Sequence, residues 1–246
     1  MNILALDTSS LVATVALMNR EKLLGEYTIN SPMTHSQKLM PIIDGLLSSL
    51  DLSMEDIDII GVSRGPGSFT GVRIGIATVK GLAHSRNIPV IGVSSLEGLA
   101  YNTLYCKELV CPIMDARRNQ VYTGVYKWVD YKLKTIVHEA PLGIDELMNK
   151  VKEREEKTIF LGDGLNRYKN EIIDSLGDRA LFAPKFVGMQ RASSIAQLAL
   201  DKMDGGEVEV ESHKTITPKY LRKSEAERQY EERMKRCGCI DGQYSR

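Results

Sequence analysis

The hydrophobic and polar positions of this chain fall into two recurring patterns. Short apolar or alternating runs of strand length occur at residues 3–7, 13–18, 57–63, 90–93, 110–115, 121–126 and 158–161. Longer segments have apolar residues three and four positions apart, the spacing of one helix face, and they occupy residues 36–50, 70–86, 144–156, 167–176 and 192–203. The alternation of the two patterns predicts an α/β protein in which helices cover a sheet.

The chain shows the same order of elements twice. Asp7 ends the first apolar strand and is followed by a small polar turn and an alternating strand, and Asp115 stands at the same place in the second half. We interpret the halves as two α/β domains related by internal duplication, residues 1–105 and 106–222, that face each other across a cleft. Residues 223–246 are predicted to form a charged, partly disordered C-terminal tail.

The segment Arg64–Gly75, RGPGSFTGVRIG, connects a predicted buried strand to a predicted helix. Gly65 and Gly67 permit positive φ angles and a close approach of the backbone, and Ser68 can cap the first amides of the helix. Free amides at a helix N-terminus attract phosphate or carboxylate groups. The segment therefore indicates an anion site, with an ordinary strand-to-helix turn as the alternative, because it matches neither the P-loop nor the dinucleotide-binding pattern.

Acidic residues at the end of the first strand of each half are candidate ligands for magnesium and phosphate. Asp7 and Asp115 supply carboxylates, which a hard cation such as Mg²⁺ prefers together with water. Each has a simpler alternative role, in which the carboxylate accepts hydrogen bonds from the turn that follows it. Arg117 and Arg118 beside Asp115 suggest anion or RNA binding, with solvated charge as the alternative. The complete nucleotide or anion site hypothesised from the sequence is Asp7, Thr8, Ser9, Gly65, Gly67, Ser68 and Asp115.

Composition narrows the class of protein. The chain has 246 residues, 43% of them hydrophobic, and its 32 basic and 32 acidic residues cancel. No overall field therefore draws it to nucleic acid or to an anionic membrane, so that any RNA contact is local or shared with a partner. The N-terminus has no basic region and no apolar run reaches the length of a membrane span, which predicts a cytoplasmic protein. The four cysteines are expected to be reduced, and Cys237 and Cys239 alone are too few for a zinc site.

Two predicted helices carry more apolar or small positions than packing within one domain requires. The helix at 36–50 is apolar over more than one stripe, and the helix at 70–86 has small residues, among them Gly71 and Gly75, opposite its apolar stripe. We expect these faces to pack against helices of another subunit, and a charge at Gly75 or Val79 to prevent that association. The alternative is that both faces are buried inside the first domain. The predicted interface is His35, Leu39, Ile42, Ile43, Leu46, Gly71, Ile74, Gly75, Thr78, Val79 and Leu82.

Several segments resemble one known family. They are ILALDTS at residues 3–9, THSQKLMP at 34–41, GPGSFTGVRIG at 65–75, SSLEGLA at 94–100 and PKYLR at 218–222. Through these segments the chain is similar to the TsaB family, the bacterial accessory subunits for installing threonylcarbamoyl on the adenosine next to the anticodon of tRNAs that read ANN codons. The resemblance implies an actin-like, hexokinase-like (ASKHA) fold of two domains. It also implies the paralogous catalytic subunit TsaD as the main partner and the ATPase TsaE as a second.

The resemblance further implies that the catalytic metal site is missing. In TsaD the stretch that corresponds to residues 94–100 reads N-H-x-x-x-H, and its two histidines bind the metal, whereas this chain has Ser95 and Leu99 at those positions. Neither side chain replaces an imidazole as a ligand for a transition metal. The implied protein is a noncatalytic subunit that needs no metal and no cofactor and allows ATP or ADP at the subunit interface. It reaches tRNA only through the complex and pairs with itself when TsaD is absent.

Two enzymatic alternatives stay open. A small-molecule kinase of the same superfamily would hold Mg-ATP between Asp7 and Asp115, but the turn Thr8-Ser9-Ser10 lacks the glycine that lets such kinases bring backbone close to the phosphates. A metallopeptidase, an old label for relatives of TsaD, would need histidine ligands. The sequence has neither a histidine pair at helical spacing nor an HExxH motif. Turnover by the isolated chain would exclude the noncatalytic interpretation.

Overall fold

The chain forms two five-stranded sheets with helices around them, in a computed structural model that describes residues 1–31, 35–223, 227, 229–230 and 233–234. The first sheet contains β1 (Asn2–Asp7), β2 (Val12–Asn19), β3 (Leu23–Asn30), β4 (Ile59–Ser63) and β5 (Val90–Val93). The second contains β6 (Leu109–Asp115), β7 (Gln120–Val129), β8 (Lys132–Gly143), β9 (Thr158–Leu161) and β10 (Ala180–Phe182). The helices are α1 (His35–Ser49), α2 (Phe69–His84), α3 (Ser95–Ala100), α4 (Ile144–Lys152), α5 (Leu165–Leu176) and α6 (Ala192–Asp204). The predicted α/β class is confirmed.

The two sheets have the same strand order and the same strand directions. The order is β3-β2-β1-β4-β5 in the first sheet and β8-β7-β6-β9-β10 in the second. In each sheet the central strand is antiparallel to the strand that follows it in the chain and parallel to the strand on its other side. The topology agrees with the repeat seen in the sequence, while an origin by duplication stays a prediction.

The central strand β1 shows why its sequence is continuously apolar. Its side chains point alternately to opposite faces of the sheet, and helices cover both faces. Leu4 and Leu6 pack in one cluster with side chains of α1 and α2, whereas Ile3 and Ala5 pack in another cluster with side chains of α6. The edge strand β3, by contrast, is half-exposed or exposed along its whole length.

The last helix of each half packs on the sheet of the other half. α3 follows the first sheet along the chain but packs on β6 and β7, and α6 follows the second sheet but packs on β1 and β2. One apolar cluster therefore extends from Ile3 of the first sheet to Met114 and Trp128 of the second, and it fixes the two halves relative to each other. The domain limits 1–105 and 106–222 stay a prediction. By sequence α6 belongs to the second of these ranges, but it packs on the sheet formed by the first.

Residues 207–222, named here the C-terminal strap, run back over the first sheet towards the second. Glu211 pairs with the edge strand β5, and the buried side chain of Ile216 joins the core beneath the first sheet. At the end of the strap, Arg222 donates a hydrogen bond to the carbonyl oxygen of Ala116 at 2.6 Å. The strap therefore ties the first sheet to the turn that follows β6.

Most of the predicted charged tail lies outside the described residues. Those not described are Thr34 and its neighbours 32–33, then 224–226, 228, 231–232 and 235–246, which include Cys237 and Cys239. Within the described part of the chain, no helix combines the length and the apolar character needed to cross a membrane.

Candidate functional site

A cavity of about 550 Å³, named here the interdomain cleft, opens between the two halves. One wall is formed by the turn after β1, the loop before α2 and the first turn of α2. The other wall is formed by the turn after β6 and by Asp163, which follows β9. These segments follow the carboxyl ends of central strands, which is where open α/β sheets bind ligands.

Gly65 and Gly67 are required by contacts within the chain. A Cβ atom at Gly67 would lie 2.2 Å from the carbonyl oxygen of Ser9, and one at Gly65 would lie 2.6 Å from the carbonyl oxygen of Lys219. Gly65 also has a φ of +109°, which L side chains rarely adopt. Both glycines are thus explained by the packing of this loop on the first turn and on the strap, without a ligand.

The small residues of α2 face the chain's own first turn. A Cβ atom would lie 2.0 Å from the Thr8 carbonyl oxygen at Gly71, and 2.6 Å from the Thr8 hydroxyl at Gly75. The Thr8 hydroxyl also donates a hydrogen bond to the Gly71 carbonyl oxygen at 2.8 Å. Ser68 caps the helix start, since its hydroxyl accepts a hydrogen bond from the Gly71 amide at 3.2 Å. The sequence analysis expected the small residues of this helix to pack against a helix of another subunit. The structure corrects that expectation at Gly71 and Gly75, because the atoms that approach them closely belong to the turn after β1 of the same chain.

Most of the predicted partner interface is buried within the chain itself. The buried members are Leu39, Ile42, Ile43, Leu46, Gly71, Gly75 and Val79. The members with partial exposure are His35, Ile74, Thr78 and Leu82. A buried side chain offers no surface to a second protein. The seven buried residues therefore fit the alternative given in the sequence analysis, in which these faces are buried inside the first domain.

Asp7 is fully buried at the end of β1 and does not line the cleft. Its Oδ1 accepts a hydrogen bond from the Ser9 amide at 2.6 Å, and its Oδ2 has no hydrogen-bond partner among the described residues. Burial raises the pKa of Asp7 to about 6, and the Ser9 amide and the nearby Ser9 and Ser63 side chains offset only part of that rise. The geometry supports the turn-capping role and not a magnesium ligand in the cleft.

Asp115 occupies the matching position in the second half, but it is exposed and lines the cleft. Its Oδ1 accepts a hydrogen bond from the Arg117 amide at 2.8 Å, so it caps its turn as well. The Oδ1 of Asp163 accepts a hydrogen bond from the Asp115 amide at 3.0 Å. Burial raises the pKa of Asp163, and the nearby Asp115 carboxylate adds to the rise. Among the described residues, no group of three or more His, Cys, Asp or Glu side chains is arranged to hold a metal ion.

Arginine side chains line the cleft from both halves. Arg117 and Arg118 come from the turn after β6, Arg73 from the start of α2 and Arg222 from the strap. The sequence indicated the first two as an anion site but did not connect them with the other two, which are distant in the chain and meet only through the fold. The sequence contained one signal that Arg73 belongs to this site. Arg73 falls in the first turns of the helix that follows the glycine-rich loop, where an anion site was predicted.

The hypothesised nucleotide or anion residues are only partly brought together. Ser9, Gly67, Ser68 and Asp115 line the cleft, whereas Asp7, Thr8 and Gly65 do not. His35, which the sequence placed in the partner interface, lines the cleft instead. Binding of a nucleotide or anion at these residues stays a prediction.

Comparison with known proteins points to one family. The family model of TsaD, tRNA N6-adenosine threonylcarbamoyltransferase, matches residues 23–230. The tRNA threonylcarbamoyladenosine biosynthesis protein TsaB of Bacillus subtilis is 37% identical over 235 residues, which cover 96% of this chain and 100% of that protein. The Escherichia coli protein of the same name is 37% identical over 134 residues, covering 54% of this chain and 55% of that protein.

A solved structure agrees with these matches over both sheets. It is a Pseudomonas aeruginosa protein described as similar to the peptidase YeaZ, and it superposes with a TM-score of 0.77 at 31% identity, covering 90% of this chain and 99% of that chain. Together with the Bacillus subtilis relative, which is matched along its whole length, this similarity shows that the chain belongs to the TsaB family.

Proposed function

We propose that this chain is a noncatalytic subunit of the bacterial complex that makes threonylcarbamoyladenosine next to the anticodon of tRNAs that read ANN codons. The observation that carries the proposal is the full-length similarity to a protein named for that biosynthesis. In this role the chain, built from two actin-like domains, binds and supports the catalytic paralogue TsaD in the cytoplasm, together with the ATPase TsaE. It reaches tRNA only through the complex and requires no cofactor of its own, while ATP or ADP can occupy the boundary with TsaD.

The residues at the positions of the TsaD metal ligands support a noncatalytic role. Ser95 and Leu99, which the resemblance aligns with the two histidines of TsaD, are both buried in α3. The hydroxyls of Ser95 and Ser63 are hydrogen-bonded at 2.6 Å, and Leu99 belongs to the core that joins the two sheets. A paired hydroxyl and an apolar side chain offer a transition metal no suitable ligand.

The alternative of a small-molecule kinase has less support. It needs carboxylates from both halves in the cleft, and only Asp115 of the proposed pair lines it. Asp7 is buried, and the turn that follows it is packed against α2 through Thr8. Backbone that is already in contact with a helix is not available to surround phosphate groups.

We propose that the outer face of α2, defined as Ile74, Ala77, Thr78 and Gly81, forms part of the surface that contacts TsaD. These residues lie three and four positions apart and therefore share one helix face, and all are exposed or half-exposed. A Cβ atom at Gly81 would meet no atom within 4 Å, so a partner backbone can approach there. The same face can form a symmetric homodimer when TsaD is absent.

The association is tested by mixing the purified chain with TsaD and measuring the mass of the complex by light scattering after size exclusion. Ala77→Arg adds a long charged side chain to the exposed side of α2, so we expect a folded variant that no longer forms the complex. Substitutions at Gly75 or Val79 are unsuitable, because both residues are buried. Asn170→Arg, on an exposed position of α5, is the matched control and should associate like the wild type. A normal complex with Ala77→Arg would place the interface elsewhere.

The noncatalytic role is tested by measuring threonylcarbamoyladenosine in tRNA that is incubated with TsaD, TsaE, ATP and an activated threonylcarbamoyl donor, with and without this chain. We expect product only when TsaD and this chain are both present, and a loss of product with Ala77→Arg that parallels the loss of the complex. Formation of product by this chain in the absence of TsaD would overturn the proposal.

A further inference from the structure

The C-terminal strap meets the end of α2 through two histidines. His84 is the last residue of α2, and His213 lies 129 positions later, in the strap. Nδ1 of His84 and Nε2 of His213 are hydrogen-bonded at 3.1 Å, and the two ring centroids are 4.7 Å apart. The sequence contains no histidine pair at helical spacing, so this pair arises only from the return of the strap over the first half of the chain.

The histidine pair is separate from the interdomain cleft. Neither histidine lines the cleft, whose wall includes the first turn of α2. An α-helix rises about 1.5 Å per residue, so the 16 residues of α2 place His84 about 20 Å from that turn. His84 is exposed and His213 is half-buried, so solvent reaches the pair from the side of His84.

Each of the two rings can offer a lone pair at neutral pH. Neutral imidazole is the form that binds metal ions, and it predominates above a pH of about 6.5. The hydrogen bond between the rings already requires one of the two facing nitrogens to be without a proton. The other facing nitrogen loses its proton when that proton moves to the second nitrogen of the same ring, because neutral imidazole carries its proton on either one. Both facing nitrogens can therefore bind the same ion.

The separation of the facing nitrogens fits a shared metal ion. With metal–nitrogen distances of about 2.1 Å, two nitrogens 3.1 Å apart subtend an angle of about 95° at the ion. Neighbouring ligands are about 90° apart in the square-planar and octahedral sites of Cu²⁺ and Ni²⁺, and about 109° apart in a tetrahedral zinc site. The pair thus fits Ni²⁺ or Cu²⁺ better than Zn²⁺. A small rotation of the exposed His84 ring directs its lone pair to the ion.

The charges around the pair set the affinity that we expect. The last carbonyl groups of α2 carry a partial negative charge, which favours a cation at His84. The ammonium groups of Lys80 and Lys214 lie near His213 and oppose a cation there. Two protein ligands are also fewer than the three or four that hold zinc in catalytic and structural sites. We therefore expect an exchangeable ion with a dissociation constant in the micromolar range.

We propose that His84 and His213 bind one divalent transition metal ion, Ni²⁺ or Cu²⁺, with water at the remaining coordination positions. The ion ties the strap to the end of α2. On either side of His213 the strap is already attached, because Glu211 pairs with β5 and the side chain of Ile216 lies in the core. The ion therefore strengthens the segment between these two attachments. This inference is independent of the proposed function, since the isolated chain binds the ion without TsaD.

The test is a calorimetric titration of the full-length, metal-free chain with nickel chloride at a pH of about 7.5. The chain has no added histidine tag, and every protein carries Cys237→Ser and Cys239→Ser, because thiolates also bind transition metal ions. We expect one ion per chain, weaker binding at a pH of about 5.5, where protons compete for the imidazoles, and slower hydrogen exchange of the strap amides with Ni²⁺. His84→Asn and His213→Asn are each expected to weaken binding at least about tenfold, because each removes a ligand.

His138→Asn is the matched control, since His138 is an exposed histidine of β8 outside the pair. It should bind Ni²⁺ like the parent chain. Because His84 is exposed, we expect His84→Asn to fold normally, as checked by circular dichroism, so the test stands even if His213→Asn does not fold. The proposal is overturned by a lack of saturable binding at millimolar Ni²⁺, by equal weakening in His138→Asn, by binding that does not weaken at the lower pH, or by unchanged binding in His84→Asn.

Discussion

The turns after β1 and β6 begin with the same hydrogen bond and have different surroundings. Asp7 and Asp115 each accept the amide of the residue two positions later, at 2.6 Å and 2.8 Å. In the turn after β1, Asp7 is buried and Thr8 is covered by α2, because Gly71 and Gly75 allow Thr8 to lie directly on the helix, and only the following residues 9–11 reach the cleft. In the turn after β6 the acidic residue itself, Asp115, is exposed to the cleft, and the exposed residues that follow it are Arg117, Arg118 and Asn119.

The difference shows that capping is a local property, whereas the chemistry available to a carboxylate depends on what packs above it. The repeated sequence of strand, acid and turn produces the same backbone arrangement in both halves. The covered copy has a buried carboxyl group with a raised pKa, and the open copy places its carboxylate beside positively charged groups. The sequence repeat therefore predicts the backbone geometry of both turns, but it does not predict the function of either one.

Gly71→Ala tests the covered turn and has the largest expected effect. The added Cβ would lie 2.0 Å from the Thr8 carbonyl oxygen, a backbone atom that moves only if the whole turn moves. We expect the free energy of unfolding to fall by about 3 kcal/mol, measured by urea denaturation. Gly81→Ala is the control on the same helix, since its Cβ would meet no atom within 4 Å. It should raise the free energy of unfolding by about 0.5 to 1 kcal/mol. Equal stability of the two variants would show that α2 and the turn are not in tight contact.

Asp7→Asn tests the buried carboxyl group through the pH dependence of stability. Burial raises its pKa from 3.8 to about 6, so the folded chain retains a proton that the unfolded chain releases between these values. The group therefore lowers stability as the pH rises from about 4 to about 7. Relative to Asp7→Asn, which does not titrate, the wild type should lose about 2 kcal/mol of unfolding free energy over that interval. Urea denaturation of both proteins at several pH values measures this difference, and a constant difference would mean that the fold fully stabilises the ionised carboxylate.

The apolar pattern was sufficient for the longer buried elements, whereas the short buried helix α3 was not predicted. The helix predicted at 70–86 is α2 at Phe69–His84, and the helix predicted at 192–203 is α6 at Ala192–Asp204. The strands β3 and β8 were not predicted, because strands with many exposed positions have little apolar alternation and depend on pairing with their neighbours. The pattern reports burial, so it finds the buried edge strand β5 and misses the exposed edge strands.

The cleft and the partner surface were predicted less completely for a related reason. Turn residues such as Ser9 and Asp115 could be found from local sequence, whereas Arg73 and Arg222 join them only in the folded chain. The wide apolar face of α1 correctly indicated burial on more than one side. It could not show that the residues packed against α1 belong to the same chain. An apolar helix face has the same sequence pattern whether it packs on its own domain or on another subunit.

Arg117→Gly has the smallest expected effect on stability and bears directly on the open turn. Glycine adopts a φ of 60° without steric strain, so the variant should gain up to about 1 kcal/mol of unfolding free energy. The anion-binding role that the sequence predicts for Arg117 implies that the same variant binds pyrophosphate, the anion used as the probe, more weakly than the wild type does. Glu155→Gly is the matched control, because Glu155 is exposed outside the cleft with a φ of 55°. It should gain similar stability and bind pyrophosphate like the wild type. A change of stability and affinity in opposite directions at Arg117 alone would indicate that arginine serves a ligand there at the expense of the fold, whereas unchanged affinity would leave the strained turn without that explanation.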